Sequence, residues 1–230
     1  MITVFSPKIW EISPDEFTLL GDAVGGELAR LVRHASPVEG GARSVLVVGL
    51  GNRYITSDAL GPETVRNLTV TSHLPHSITV SSRVSAVVPG VLGETGIEAL
   101  EVVRGIVRQT SPHVIIAVDA LCAASNERLA ATVQISDGGI APGSGIGNSR
   151  KAFTRETLGV PVISVGIPTV IHSSTLIASA LTEWGIQQLS DSAKRRLARQ
   201  IGCFVSPKEC DLLLKSGALL LAMAIDRACL

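Results

Sequence analysis

With 230 residues, 46% of them hydrophobic, the chain can bury a sizeable core, which excludes an intrinsically disordered protein. Its 20 basic and 20 acidic residues cancel, and that argues against nucleic acid or an anionic membrane as the main partner, because either favours a basic excess. Aromatic residues make up only 3%, so Val, Ile, Leu and Ala must fill the interior.

In chain order, "MITVFSPKIWEISPDE" lacks a basic region followed by a long apolar one, so no signal peptide is expected. Residues 2–5 suit a short strand. Pro14-Asp15 opens a helix to about Arg33, with Phe17, Leu20, Val24, Leu28 and Leu31 at helical spacing. "SVLVVGL" (44–50) is a continuous apolar run of the kind that forms a strand buried on both faces, and "VIIAVDA" (114–120) and "VPVISVGI" (160–167) share that character. Helices are predicted at about 61–68, 96–109 and 174–184. "RLAATVQISD" (128–137) alternates and predicts an added strand at the sheet edge, followed by the glycine-rich loop 138–151. The tail opens with Ser-Pro and carries "ALLLAMAI" (218–225), too short to cross a bilayer and expected to be a packed helix.

Buried strands alternating with helices predict an α/β fold with a mostly parallel sheet and right-handed crossovers. No repeat or linker divides the chain, so residues 1–230 are expected to form a single α/β domain. Cys122, Cys203, Cys210 and Cys229 lack CxxC spacing and fit free thiols in a reducing cytoplasm.

In open parallel sheets, ligands bind beyond the carboxyl ends of the strands. Asp58 lies in the loop after the first buried strand and Asp119 ends the second. If those strands are neighbours, two carboxylates face one cleft and can divide the work of peptide hydrolysis, one as base and one as acid. Asp58 is equally placed to cap the helix that follows. An aspartate ending so apolar a run as that before Asp119 requires a reason. "GSGIGNSRK" has neither P-loop nor dinucleotide spacing, and its glycines suit either a peptide groove or a surface turn. His34, His73, His76, His113 and His172 are scattered, and none forms HExxH. No GxSxG elbow singles out a serine. Cys122 suits a thiol nucleophile or a small buried residue.

The blocks "VVGLGN", "SDALGP", "SAVVPGVLGETGIE", "VDAL", "ERLAATVQISDGGIAPGSGIGNSRK", "ETLGVPVISVGIPTV" and "FVSPKECD", in this order, resemble the germination protease family, endopeptidases that degrade small acid-soluble DNA-protecting proteins in germinating spores. The resemblance is dense from Val45 to Val170 and returns at Phe204 to Asp211. It implies a three-layer fold with helices on both faces, similar to the hydrogenase maturation proteases, and an atypical aspartic-type mechanism without a cofactor or metal. The family's two catalytic aspartates fall on Asp58 and Asp119. Segments 90–96 and 138–147 are expected to border the substrate groove, with Gly93, Gly143 and Gly145 as contacts and Asn52 and Thr169 as polar ones.

The implied substrate is a small acid-soluble spore protein cut at an acidic–apolar sequence in the spore core, with no direct nucleic-acid or membrane partner. The family forms a homo-oligomer, a tetramer, and is made as a zymogen. Here the chain begins near the family's mature first strand, so no inhibitory pro-segment is expected, and the stretch between "GIPTV" and "FVSPKE" is short. Two alternatives remain. One is a nickel-dependent peptidase of the hydrogenase-maturation type, with Asp58 and Asp119 as ligands but no matching histidine; the other is a catalytically degenerate peptide-binding member.

Overall fold

A run of Val, Ile and Leu that cannot expose either face becomes an inner strand, and amphipathic segments become the helices that cover it. The computed structural model, which describes residues 1–38, 41–75, 77–144, 151–185 and 190–230, follows that rule. Strand β1 (Ile2–Phe5) leads to α1 (Pro14–Ala35), opened by a capping box in which Ser13 and Glu16 satisfy each other's backbone amides. Then come β2 (Arg43–Gly49), a 3-10 turn at Thr56–Asp58, α2 (Leu60–Asn67) and β3 (Ser82–Val87). The short α3 (Leu92–Thr95) and α4 (Ala99–Thr110) precede β4 (Val114–Ala123) and, past a second 3-10 turn at Asn126–Arg128, β5 (Thr132–Ser136). The order closes with α5 (Arg155–Leu158), β6 (Val162–His172), α6 (Ser173–Glu183), α7 (Asp191–Gln200), β7 (Phe204–Val205) and α8 (Cys210–Cys229).

These strands form one sheet in the order β1-β5-β6-β4-β2-β3, with β7 pairing β6. Strands β3, β2, β4 and β6 are parallel, β5 and β7 run antiparallel to β6, and β1 pairs antiparallel with β5. The sheet is therefore mixed, not mostly parallel. A parallel return needs a crossover of a dozen residues or more, and the short link from β4 to β5 reverses the chain instead. Nor is the 128–137 strand at an edge: β1 adds outside it, in register from Ile2↔Ile135 to Phe5↔Thr132.

Alternation along the strands splits the core in two. Val45, Val47, Val114, Ile116 and Val118 pack with Leu20, Val24 and Leu28 of α1 and Leu220, Leu221 and Ala224 of α8. Leu46, Val48, Ile115 and Ala117 pack on the other face against Leu100, Val103 and Val107 of α4, with Phe153 and Leu158. Each fully buried Val, Leu, Ile or Phe side chain among them contributes about 1.5–3 kcal/mol. The apolar tail is spent on this packing, and no described helix is long and apolar enough to cross a membrane.

From β2 the chain moves outward to β3, then returns to the opposite side of β2 as β4. The loops leaving β2 and β4 diverge at that point, and a crevice opens between them.

Candidate active site

Strand β2 stops at Gly49, opposite Val118. The Leu50 amide still donates to the Val118 carbonyl (2.8 Å), after which Gly51 turns the chain at φ +111°, a region closed to residues with a Cβ. A Cβ there would run into the Asp58 carbonyl oxygen. The turn brings the Asn52 N–H to Asp58 Oδ2 (2.7 Å), and the Asn52 side chain in turn accepts from the Tyr54 N–H (2.9 Å), an Asx turn. Asp58 thus faces back into its own loop. The following helix is led by Ala59 with no side-chain cap, so Asp58 is not its N-cap.

Asp119 does not end its strand. β4 continues to Ala123 because the eleven-residue β6 keeps pairing with it as far as Ile171; what ends at that level is β2. Its side chain shares the α4 face with Ile115 and Ala117 by alternation. Asp119 is only 6% exposed, and Oδ1 accepts from the Ala120 N–H (3.0 Å).

Burial, then the nearby charge of Asp58, pushes Asp119 up to about 7 against the opposing Ala120 hydrogen bond. Burial also raises Asp58, offset by the Asn52 amide. The two carboxylates feel each other and are unequal in acidity.

Two cavities meet at the pair. One, of about 400 Å³, has apolar walls from Ile55, Leu121, Ile140, Val170 and Phe204. The other, of about 120 Å³, lies between Val91, Leu92, Leu100, Lys151 and Phe153. Asp58, Asp119 and Gly143 border both. Such an arrangement can hold an extended chain with its side chains on either side of the carboxylates.

The sequence profile of the germination protease family matches residues 3–200. The chain belongs to the germination protease family. It is 38% identical to the germination protease of Caldanaerobacter subterraneus over 255 aligned positions, which cover 99% of this chain and 77% of that protein. It is 53% identical over 143 residues to the germination protease of Geobacillus sp. (strain WCH70) and 56% identical over 141 residues to that of Halalkalibacterium halodurans. Those two matches cover 60% and 59% of this chain but only 38% of each relative's own length.

In this member of the germination protease family, Asn52 acts on Asp58 through its backbone amide. Thr169 is 1% exposed, and its hydroxyl donates to the Ser57 carbonyl (2.6 Å), bracing the turn before Asp58 against β6. Thr169→Val, which keeps the shape and strands that carbonyl, is expected to cost about 1–2 kcal/mol in urea unfolding. Gly143, at φ +72°, borders both cavities. Gly93 is exposed on α3; from its segment Gly90, Val91 and Leu92 face the smaller cavity instead. Gly145 and His76 lie outside the described residues.

Sequence reasoning missed Ser57, Gln134 and Lys151, which the fold brings to the cavities. Phe204 was marked only by its place in "FVSPKECD". Burial raises the Cys122 thiol, which disfavours the thiolate a nucleophile needs.

A nickel centre needs a third ligand beside the two aspartates. Among the described residues no three His, Cys, Asp or Glu side chains come together to hold a metal, and His172 Nδ1 lies 2.6 Å from Ser174 Oγ. The described donor set does not fit that metal.

Proposed function

We propose that this chain is an endopeptidase that hydrolyses small acid-soluble spore proteins during germination by an atypical aspartic-type mechanism. The observation that carries this reading is the pair of unequally acidic carboxylates, Asp58 and Asp119, between two cavities. Asp58, the less buried, ionises first and takes a proton from water as that water attacks the scissile carbonyl. Asp119 keeps its proton to about pH 7 and donates it to the leaving amine as the C–N bond breaks. Each turnover leaves Asp58 protonated and Asp119 ionised, and exchange with solvent restores both.

Membership of the germination protease family supports the peptidase. The apolar walls of the larger cavity support an apolar residue beside the cleaved bond, within an acidic–apolar cleavage sequence. The neutral net charge supports an enzyme that binds the protein and not its DNA. The same reading places the protein in the spore core, allows assembly into a homo-oligomer, and takes the "GLGN" turn followed by an acidic residue as a likeness to the hydrogenase maturation proteases.

The test is cleavage of a purified small acid-soluble spore protein by the wild type and by Asp58→Asn, with and without chelator. Cutting by the wild type alone, indifferent to chelator, is the expected outcome. No cutting by the wild type, or cutting that chelator stops, would overturn the proposal.

A further inference from the structure

β2 pairs with β4 from Val45↔Val114 to Gly49↔Val118 and then turns away at Gly51, whereas β4 runs on through Ala123, paired on its other side with β6. Among the described residues no strand takes the place of β2 along that stretch. Backbone groups point alternately to the two sides of a strand. The Val118 carbonyl faces the β2 side, where it accepts from Leu50, so the Ala120 carbonyl turns the same way. The Ala120 amide is taken by Asp119 Oδ1 (3.0 Å), which makes the carbonyl the main-chain group left to pair. Ala120, Leu121 and Cys122 line the larger cavity beside Asp119. An open strand edge therefore starts one residue past the buried carboxylate and faces the cavity.

We infer that an extended stretch of the protein substrate docks on this edge as an added strand beside Ala120–Cys122, in line with β2, and that this main-chain pairing sets the scissile peptide between Asp58 and Asp119. The inference rests on the peptidase reading. The occupant is an extended, unfolded segment, because a helix bonds its amides internally while an extended chain presents a row of them to an edge and can enter the crevice. The crevice suits such a segment: the cavities on either side of the aspartates receive side chains that an extended chain points alternately to opposite faces. Cleavage would then select for disorder first and for side chains second.

The test uses fluorescein-labelled overlapping fragments of a small acid-soluble spore protein, with binding to Asp58→Asn read by anisotropy and cutting by the wild type read by mass spectrometry. The fragment that binds best is then remade with one amide at a time N-methylated. Loss of binding by about tenfold or more at one amide and at the second one along, with little change at the amide between, is expected, because a missing backbone bond to an edge is felt only where the chain faces it. If this pattern appears without any cutting by the wild type, the docking stands and the peptidase reading falls. If cutting occurs and N-methylation shows no alternation, the peptidase reading stands and strand docking is overturned. Failure of every fragment to bind also overturns it.

Discussion

Asp119→Asn is expected to lower kcat for peptide cleavage by about 10³-fold while making the fold more stable at alkaline pH. The carboxyl titrates near 3.8 in an unfolded chain and near 7 in the fold. Between those values the unfolded chain gives up a proton that the fold retains, so stability falls as pH rises through the window. Above about pH 7 the folded protein carries the whole cost of a charge buried at 6% exposure. An asparagine never ionises and removes that cost, a gain of about 2–4 kcal/mol at pH 8 that vanishes near pH 4. Urea unfolding of both proteins at pH 4, 6 and 8 checks it. A variant no more stable than the wild type at pH 8 would contradict the burial argument. A site that weakens its own fold in order to keep one acid protonated trades stability for chemistry.

Gly51→Ala is expected to damage fold and activity together. The position sits at φ +111°, and an added Cβ meets the Asp58 carbonyl oxygen first and its Oδ1 at 3.3 Å. The backbone strain and the clash together are expected to cost about 2–4 kcal/mol. The loop can relieve the clash only by moving Asp58 off the Asn52 amide, so a fall in kcat of about 10²-fold is expected with little change in KM. Gly93→Ala is the control. Gly93 is exposed in α3 with nothing within 4 Å of the added carbon, and its effect is expected to stay within about 0.5 kcal/mol. Thermal unfolding and steady-state kinetics of the two variants separate a steric effect at the Asp58 loop from a general effect of losing a glycine.

β2, β4 and β6 are legible in the sequence because burial on both faces leaves an unbroken apolar run. β3 is not, since Arg83 and Ser85 interrupt it; Arg83 reaches out to the carbonyls of Leu74, Pro75 and Ile78 instead of packing in the core. The pairing of β1 with β5 joins chain segments far apart and leaves no local mark. Asp58 and Asp119 stand out because a carboxylate beside an apolar run is costly unless it is used. The support around them does not stand out. Asn52 works through a backbone amide that every residue but proline has, and Thr169 braces a carbonyl 112 positions away. The true extent of β4 depends on the length of β6, which no single stretch reveals.

The pH dependence of kcat/KM for one cleaved peptide, measured from pH 3 to 9, tests most directly whether two aspartates share the reaction. Both limbs report the pair in the free enzyme. A bell is expected: the rate rises as Asp58 ionises and falls as Asp119 loses its proton, with the alkaline midpoint near the value of about 7 that burial and the Asp58 charge impose. A rate that climbs steadily through pH 9 would mean that no buried acid must stay protonated, and would contradict it.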